Sequence, residues 1–152
     1  MNWIALIVCI ILPLIGGITT STAVQGQDDG WYKNIKKSPL NPPSFIFGPA
    51  WTLLYISMGV ASYLIYEKSN NTTALTLYAM QLILNFIWTP VFFSLHNVKL
   101  ALIILDILLI LVIFTAVEFY KIDTVAGLLL LPYLLWLMFA TYLTWYIWSR
   151  NY

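Results

Sequence analysis

Five long apolar stretches constrain this chain more than any other feature of its sequence. They run over residues 3–24, 45–66, 74–95, 100–119 and 125–148. Each reaches the roughly 20 residues that an α-helix needs to cross a bilayer. Their apolar residues are continuous and do not alternate with polar ones, which disfavours a β-barrel. The sequence therefore predicts an all-α integral membrane protein, a bundle of five transmembrane helices that forms a single domain over residues 1–152.

The charge content agrees with this prediction and excludes some partners. Only 9% of the residues are charged, whereas soluble domains carry about 25%. The net charge of +1 forms no basic patch, so nucleic acid is not an expected partner. The first stretch ends in small residues (19–23), as a signal peptide does. However, no basic segment precedes it, and it is longer than the apolar part of a signal peptide.

The distribution of lysine and arginine predicts an orientation in the membrane. Five spans place the loop at residues 25–44, the loop at 96–99 and the C-terminal tail on one side. That side carries five basic side chains, and the opposite side carries two. Because basic loops stay on the cytoplasmic side, we expect the long loop and the C-terminus to be cytoplasmic. The sequence leaves open whether the membrane is bacterial, mitochondrial or another eukaryotic one.

The sequence offers few groups for ground-state catalysis or metal binding. Cys9 and His96 are the only residues of their types, so we expect no metal site and no disulfide within the chain. Asp106 lies about two turns inside the fourth stretch, where an acid is costly unless it is paired or faces a cavity. Lys99 precedes it by seven residues, roughly on the same face. A functional role and a structural ion pair, with Lys99 or a loop lysine, both remain open.

Helical spacing groups several aromatic and polar side chains on three faces. The sets are Trp51, Tyr55 and Met58 in the second stretch, Gln81, Asn85 and Trp88 in the third, and Trp136, Ala140, Leu143 and Thr144 in the fifth. Gln81 and Asn85 need hydrogen-bond partners inside lipid, so we expect them to face the bundle. The sets are consistent with plain packing, with tryptophans as interfacial anchors. They are also consistent with an aromatic cleft for a small ligand.

Several motifs in one order carry a resemblance to a known family. They are Trp31-Tyr32, KKSPLNPP (36–43), FGPAWTLLYISMG (47–59), QLILNFIWTPVFF (81–93) and LLLPYLLWLMFATYLTWYIW (129–148). In this order and spacing they resemble the translocator protein family, also called TspO or the peripheral-type benzodiazepine receptor (MBR) family. The likeness covers all five stretches, from about residue 16 to residue 151.

The resemblance implies a five-helix bundle whose ligand cavity is closed by the loop at residues 25–44. It implies binding of porphyrins such as protoporphyrin IX or related haem-type tetrapyrroles, of isoquinoline and benzodiazepine ligands and, in some members, of cholesterol. It leaves a homodimer open. The ligand-binding positions carried over from the family are Ala23, Tyr32, Pro42, Trp51, Asn85, Trp88, Trp136, Ala140 and Leu143.

Three functions are weighed on this basis. The first is a membrane translocator or sensor that binds tetrapyrroles, with no resident cofactor. The second is an enzyme that degrades porphyrin in the light, for which the resemblance makes Trp51 and Trp136 the candidate catalytic residues. The third is a regulatory membrane protein that acts through a partner. The native ligand is not fixed by any of these motifs.

The chain departs from the family pattern at positions that concern the cavity. Leu40 and Leu100 stand where the family usually has tryptophan, and Thr144 stands where it usually has asparagine. The pattern Leu143…Tyr146…Arg150 fits a weak sterol motif. The prolines between residues 39 and 43 predict a stiff loop, and we expect Pro49 in the first turn of the second helix.

Overall fold

The computed structural model describes residues 1–25, 30–69 and 72–152, and every regular element in these ranges is a helix. The elements are α1 (Trp3–Gln25), α2 (Trp31–Asn34), α3 (Ser44–Lys68), α4 (Thr72–Phe93), α5 (Val98–Ile122), α6 (Thr124–Leu129) and α7 (Leu131–Asn151). Among them, α1, α3, α4, α5 and the α6–α7 pair are long and apolar enough to cross a membrane. The prediction of a five-helix membrane bundle is confirmed.

The last span contains a break that hydropathy did not predict. α6 ends at Leu129, and α7 begins at Leu131 with a proline, Pro132, in its first turn. Proline has no N–H to donate to the preceding turn, so the helix cannot continue through it unchanged. Leu130 closes the gap by donating its N–H to the carbonyl of Gly127 at 3.2 Å.

Most neighbouring helices of the bundle pack closely, but α3 and α7 make few contacts. α1 packs on α3 and α4, α4 on α5, and α5 on α6 and α7. α3 packs against the short α6 but meets α7 at few positions. The Ser57 hydroxyl donates to the Leu129 carbonyl at 2.6 Å where α3 meets α6.

The entrance of α3 differs from the prediction for Pro49. α3 begins at Ser44, so Pro49 lies in the sixth position, inside the helix and not in its first turn. The helix starts earlier because the extended segment ends at Pro43, whose φ of −57° and ψ of 147° are those of polyproline II. The extended course expected for the Pro42-Pro43 pair is thus present at its second residue.

Asp106 does not occupy the position that its depth led us to expect. It lies on the exposed face of α5 and does not line the cavity described below. Among the described residues it forms no ion pair, and Lys99 is also exposed. The expectations of a cavity-facing Asp106 and of a pair with Lys99 are therefore wrong for this chain. One heptad spans about 10.5 Å along a helix, which is too far for these side chains to meet directly.

Candidate functional site

A cavity of about 510 Å³ lies between the helices, beneath the described part of the loop. α1, α3, α4, α5 and α7 all contribute to its wall, and Tyr32 and Asn41 contribute from the loop. None of the described residues that line it carries a charge. Its size falls in the range of about 300–1,000 Å³ that is typical of small-molecule sites.

Trp51 and Trp136 form an aromatic corner of this cavity. Their ring centroids are 6.3 Å apart and the ring planes meet at 84°. Phe47 meets Trp136 edge-on at 6.1 Å, and Tyr55 lies 5.5 Å from Trp51. This edge-to-face geometry is a favoured one for aromatic pairs, and both indoles line the cavity.

A second aromatic group lies on α4 and supports the loop. Trp88 stacks on Phe92 with centroids 5.0 Å apart and planes 16° apart. Phe93 meets Trp88 edge-on at 6.0 Å. Tyr32 of the loop rests against Phe93 at 5.3 Å. The cavity is therefore bounded by aromatic rings both at its α3–α7 corner and beneath the loop.

A buried chain of hydrogen bonds forms the deep end of the site. The Tyr55 hydroxyl donates to Asn85 Oδ1 at 2.7 Å, and Asn85 Nδ2 donates to the Tyr133 hydroxyl at 2.8 Å. Tyr133 in turn donates to Gln81 Oε1 at 2.7 Å. Gln81 and Asn85 are almost fully buried, which confirms that they face the bundle. The oxygen of the Asn85 amide is already engaged, so this residue acts on the cavity mainly by fixing the two tyrosines.

The described part of the loop is held by polar contacts among its own residues. Lys37 Nζ donates to the Tyr32 carbonyl at 2.5 Å and lies 4.6 Å from the centre of the Tyr32 ring. Burial lowers the pKa of Lys37. Burial also raises the pKa of Tyr32, while the hydrogen bond with Asn41 acts in the opposite direction. Asn41 Nδ2 donates to the Tyr32 hydroxyl at 3.3 Å.

Two further contacts join the loop to α7. Lys36 N–H donates to Asn151 Oδ1, and Asn151 Nδ2 donates to the Lys36 carbonyl, both at 2.9 Å. The hydroxyls of Ser38 and Tyr142 are 3.0 Å apart. The loop is therefore fixed to the last span at two levels. Residues 26–29 of the predicted lid lie outside the described residues.

The structure places seven of the nine predicted ligand-binding residues on the cavity wall. These are Tyr32, Trp51, Asn85, Trp88, Trp136, Ala140 and Leu143. Ala23 and Pro42 do not line it. Ala23 is exposed near the end of α1, although its neighbour Thr22 reaches the wall. That the seven bind a ligand stays a prediction.

Sequence reasoning missed a group of hydroxyl side chains on the wall. They are Thr20, Ser21, Thr22, Ser44, Thr52 and Thr89. The run of small residues at 19–23 was weighed above as the end of a signal peptide. The feature that could have indicated a wall is the concentration of hydroxyl side chains at the end of an apolar helix. Such hydroxyls can donate to the backbone of their own helix and still face a cavity.

The three departures from the family pattern differ in their bearing on the site. Thr144 lines the cavity and is buried. Leu40 is 66% exposed and Leu100 is 39% exposed, and neither lines it. Of the three, only Thr144 changes the wall itself.

Comparison with known proteins decides the family. The profile described as the TspO/MBR family matches residues 5–149. The chain belongs to the TspO/MBR family. It is 35% identical to "Translocator protein" of Homo sapiens over 98% of this chain and 91% of that protein. It is 37% identical to "Tryptophan-rich protein TspO" of Archaeoglobus fulgidus over 99% of both chains. It is also 38% identical to "Tryptophan-rich sensory protein" of Cereibacter sphaeroides over 82% of this chain and 79% of that one.

Membership in the TspO/MBR family and the five spans together make this chain a multi-pass integral membrane protein. The bilayer is therefore its immediate surroundings. The resemblance drawn from the motifs alone is confirmed over nearly the whole chain. The side of the membrane that the C-terminus faces stays a prediction.

Proposed function

We propose that this TspO/MBR protein binds a tetrapyrrole of the porphyrin type in the cavity beneath the 25–44 loop, as a translocator or sensor. The observation that supports this most is the corner formed by Trp51 and Trp136, with ring planes at 84°. A porphyrin is flat and aromatic, so one indole would stack on it while the other meets its edge. Each such pair contributes about 0.5–1.5 kcal/mol beyond burial.

The uncharged wall also favours a ligand whose central part is apolar. A charged side chain in such a wall would need desolvation and a partner. The hydroxyls near the ends of α1 and α3 provide hydrogen-bonding groups for the polar edge of an amphiphile. A macrocycle with an apolar ring and polar substituents matches both parts of the wall.

Titration of the purified protein with protoporphyrin IX, followed by tryptophan fluorescence quenching, tests the proposal. We expect saturable quenching with one site per chain. Trp51→Phe and Trp136→Phe keep an aromatic wall, so each should weaken binding less than tenfold, which corresponds to about 1.4 kcal/mol. Quenching that rises linearly with porphyrin concentration and does not saturate would contradict porphyrin binding.

Light-dependent porphyrin breakdown is the second candidate function. The same corner favours it, because Trp51 lies 5.5 Å from Tyr55 and 6.3 Å from Tyr133, so an oxidised indole has aromatic neighbours. Loss of porphyrin absorbance is compared in light, in darkness and with free porphyrin. If the tryptophans react, Trp51→Phe and Trp136→Phe should slow breakdown much more than they weaken binding. Equal rates in all three proteins would exclude a chemical role for both residues.

Sterol, isoquinoline and benzodiazepine ligands remain proposals with less support. Leu143 faces the cavity, whereas the Arg150 guanidinium lies 5.2 Å from the Tyr146 ring. The residues of the weak sterol pattern therefore do not form one surface. Leu143 lies inside the bundle, whereas Tyr146 and Arg150 contact each other. Thr144 on the wall bears on the drug-type ligands, because it replaces the amide usual in the family with a hydroxyl.

A further inference from the structure

α1 and α3 touch closely at one end and separate at the other. A Cβ added to Gly59 would lie 2.6 Å from the backbone of Cys9 and Ile10, so the two helices are in backbone contact there. Nearer the loop, a Cβ on Gly17 would lie 2.3 Å from the Tyr55 ring. Among the described residues, no atom would lie within 4 Å of a Cβ added to Gly48, further along the same helix pair.

Residues on both sides of this separation line the cavity and are also exposed. On α1 they include Ile18, which is 65% exposed, together with Ser21 and Thr22. On α3 they are Gly48 and Thr52. Because these residues line the cavity and are still largely exposed, the cavity opens to the outside between α1 and α3.

This opening lies within the membrane-spanning length of the helices. Gly48 and Thr52 are about 6 and 12 Å from the start of α3 at 1.5 Å per residue. Ile15 and Leu53, three residues before Ile18 and next to Thr52 in the chain, are 58% and 68% exposed and apolar. The opening therefore faces the acyl region of the bilayer.

The rim of the opening carries threonine hydroxyls that already donate hydrogen bonds to backbone carbonyls of their own helices. Thr52 Oγ1 donates to the Gly48 carbonyl at 2.8 Å, and Thr20 Oγ1 donates to the Gly16 carbonyl at 3.0 Å. Thr22 donates to the Ile18 carbonyl in the same way. Hydroxyls satisfied within their own helix are tolerated in lipid, and their oxygens can still accept hydrogen bonds. Such a rim lets the polar edge of an amphiphile pass.

The loop side of the cavity is fastened by contrast. Asn151 holds Lys36 through two hydrogen bonds of 2.9 Å, and Ser38 contacts Tyr142 at 3.0 Å. Trp31 stacks on His96 with centroids 4.3 Å apart. Movement of the described part of the loop away from α7 would have to break the contacts of Asn151 and Tyr142.

We propose that ligands enter and leave the cavity sideways from the bilayer, through the opening between Ile18–Thr22 of α1 and Ser44–Thr52 of α3. The proposal rests on the proposed function in that it concerns the same cavity. It assigns the rim residues a role in exchange, which none of the family motifs assigns to them.

Stopped-flow quenching with protoporphyrin IX dissolved in proteoliposomes tests this route. Gly48→Cys in a Cys9→Ala background is blocked with a bulky methanethiosulfonate, which reductant removes. Blocking should slow both association and dissociation, about tenfold for each ~1.4 kcal/mol added to the barrier. Leu53→Cys, on the same helix but outside the cavity, is the matched control and should show no effect.

Asn151→Ala provides the reciprocal variant, because it removes both hydrogen bonds to Lys36 without touching the cavity wall. The sideways route predicts unchanged exchange rates in Asn151→Ala. Faster exchange in that variant, or unchanged rates in blocked Gly48→Cys, would overturn the proposal. Faster dissociation with an unchanged association rate would also overturn the proposal, since position 48 would then only contact the bound ligand.

A measurement without porphyrin separates this proposal from the proposed function. In vesicles of phospholipid brominated on the acyl chain, an open side admits a chain that quenches the cavity tryptophans. Blocking position 48 should reduce that quenching and blocking position 53 should not. Equal quenching in both would refute the opening even if porphyrin binds. Failure of porphyrin binding together with a difference between positions 48 and 53 would refute only the porphyrin.

Discussion

Asp106 is an acidic residue on the lipid-facing side of α5, where its neighbours Ile103 and Ile107 are also exposed. No ion pair offsets its charge among the described residues. An acid near the middle of a span costs about 2.5–3.5 kcal/mol on insertion scales, whereas leucine is slightly favourable. The Asp106 carboxyl therefore makes insertion of α5 less favourable and has no contact with the cavity.

Asp106→Leu should therefore make insertion of α5 more favourable by roughly 2 kcal/mol, somewhat below the mid-span value because the residue lies off centre. Glycosylation mapping of α5 insertion measures this, with Ile103→Leu as the control of similar exposure. Porphyrin affinity should not change. Lower thermal stability or weaker binding in Asp106→Leu would show that the carboxyl has a role in the folded protein.

Tyr133 is the centre of the buried hydrogen-bond chain, since it accepts from Asn85 and donates to Gln81. Tyr133→Phe leaves Asn85 Nδ2 and Gln81 Oε1 without this partner. Each buried group that loses its partner costs about 1–3 kcal/mol, so the variant should unfold at lower temperature. Tyr66→Phe, at a half-exposed position on α3, is the control and should be neutral. Equal melting temperatures for Tyr133→Phe and wild type would contradict the role of the chain.

At the element scale, two glycines of α3 have opposite surroundings. Gly59 lies against the backbone of α1, whereas a Cβ at Gly48 would meet no atom of the described residues within 4 Å. Because a backbone cannot give way as a side-chain tip can, any Cβ at position 59 must push the two helices apart. These two glycines therefore mark the end where α1 and α3 are in contact and the end where they separate.

Gly59→Ala should destabilise the protein by about 1–3 kcal/mol through overpacking. Gly48→Ala should be neutral or stabilise it by up to about 1 kcal/mol, because alanine is the better helix former. Unfolding in a graded series of denaturing detergent compares the two directly. The same sign of change in both variants would show that the helices do not separate as described.

Asp123 joins three elements at the turn between α5 and α6. Its side chain lies 2.6 Å from Lys68 Nζ of α3 and accepts from the Ala126 N–H at 3.0 Å as the N-cap of α6. The hydrogen bond from Lys68 is the first cause that holds the pKa of this carboxyl below its ordinary value. The stabilisation is therefore present above the unfolded-state pKa of about 3.9 and is lost as pH falls through the lower folded-state value.

Asp123→Ala should cost about 1 kcal/mol for the lost cap, whereas Asp123→Asn retains a capping group and should cost less. Melting temperatures measured at neutral pH and below pH 4 distinguish the two contributions. The difference between wild type and Asp123→Asn should shrink as the pH falls from about 3.9 through the lower folded-state pKa, because the wild-type carboxyl becomes protonated over that range. A difference that stays constant with pH would contradict a charged contact with Lys68.

The spans and their inward faces could be predicted from the sequence, because continuous apolar runs and helical spacing report them directly. Gln81 and Asn85 faced inward as expected, since an amide in lipid has to find a partner. The divergence of α1 from α3 could not be predicted, because hydropathy is the same for parallel and splayed helices. The lining role of Thr20–Thr22 followed from that divergence and was missed with it.

At the scale of the whole molecule, the two ends of the bundle have different tasks. One end is closed by the contact of Gly59 with α1 and by the Lys68–Asp123 pair. The other end holds the cavity, with the aromatic corner beneath the loop. The fold thus packs one end closely and leaves the cavity at the other.

The claim that the corner binds the porphyrin ring is tested most directly by comparing two tryptophans of α7. Trp136 forms the corner, whereas Trp145 is 49% exposed and does not line the cavity. Titration with protoporphyrin IX, followed by porphyrin absorbance, gives the Kd of Trp136→Ala and Trp145→Ala. Loss of an aromatic anchor from a buried site costs about 2 kcal/mol or more, so Trp136→Ala should weaken binding at least tenfold and Trp145→Ala should match wild type. Equal Kd values in the two variants would contradict binding at this corner.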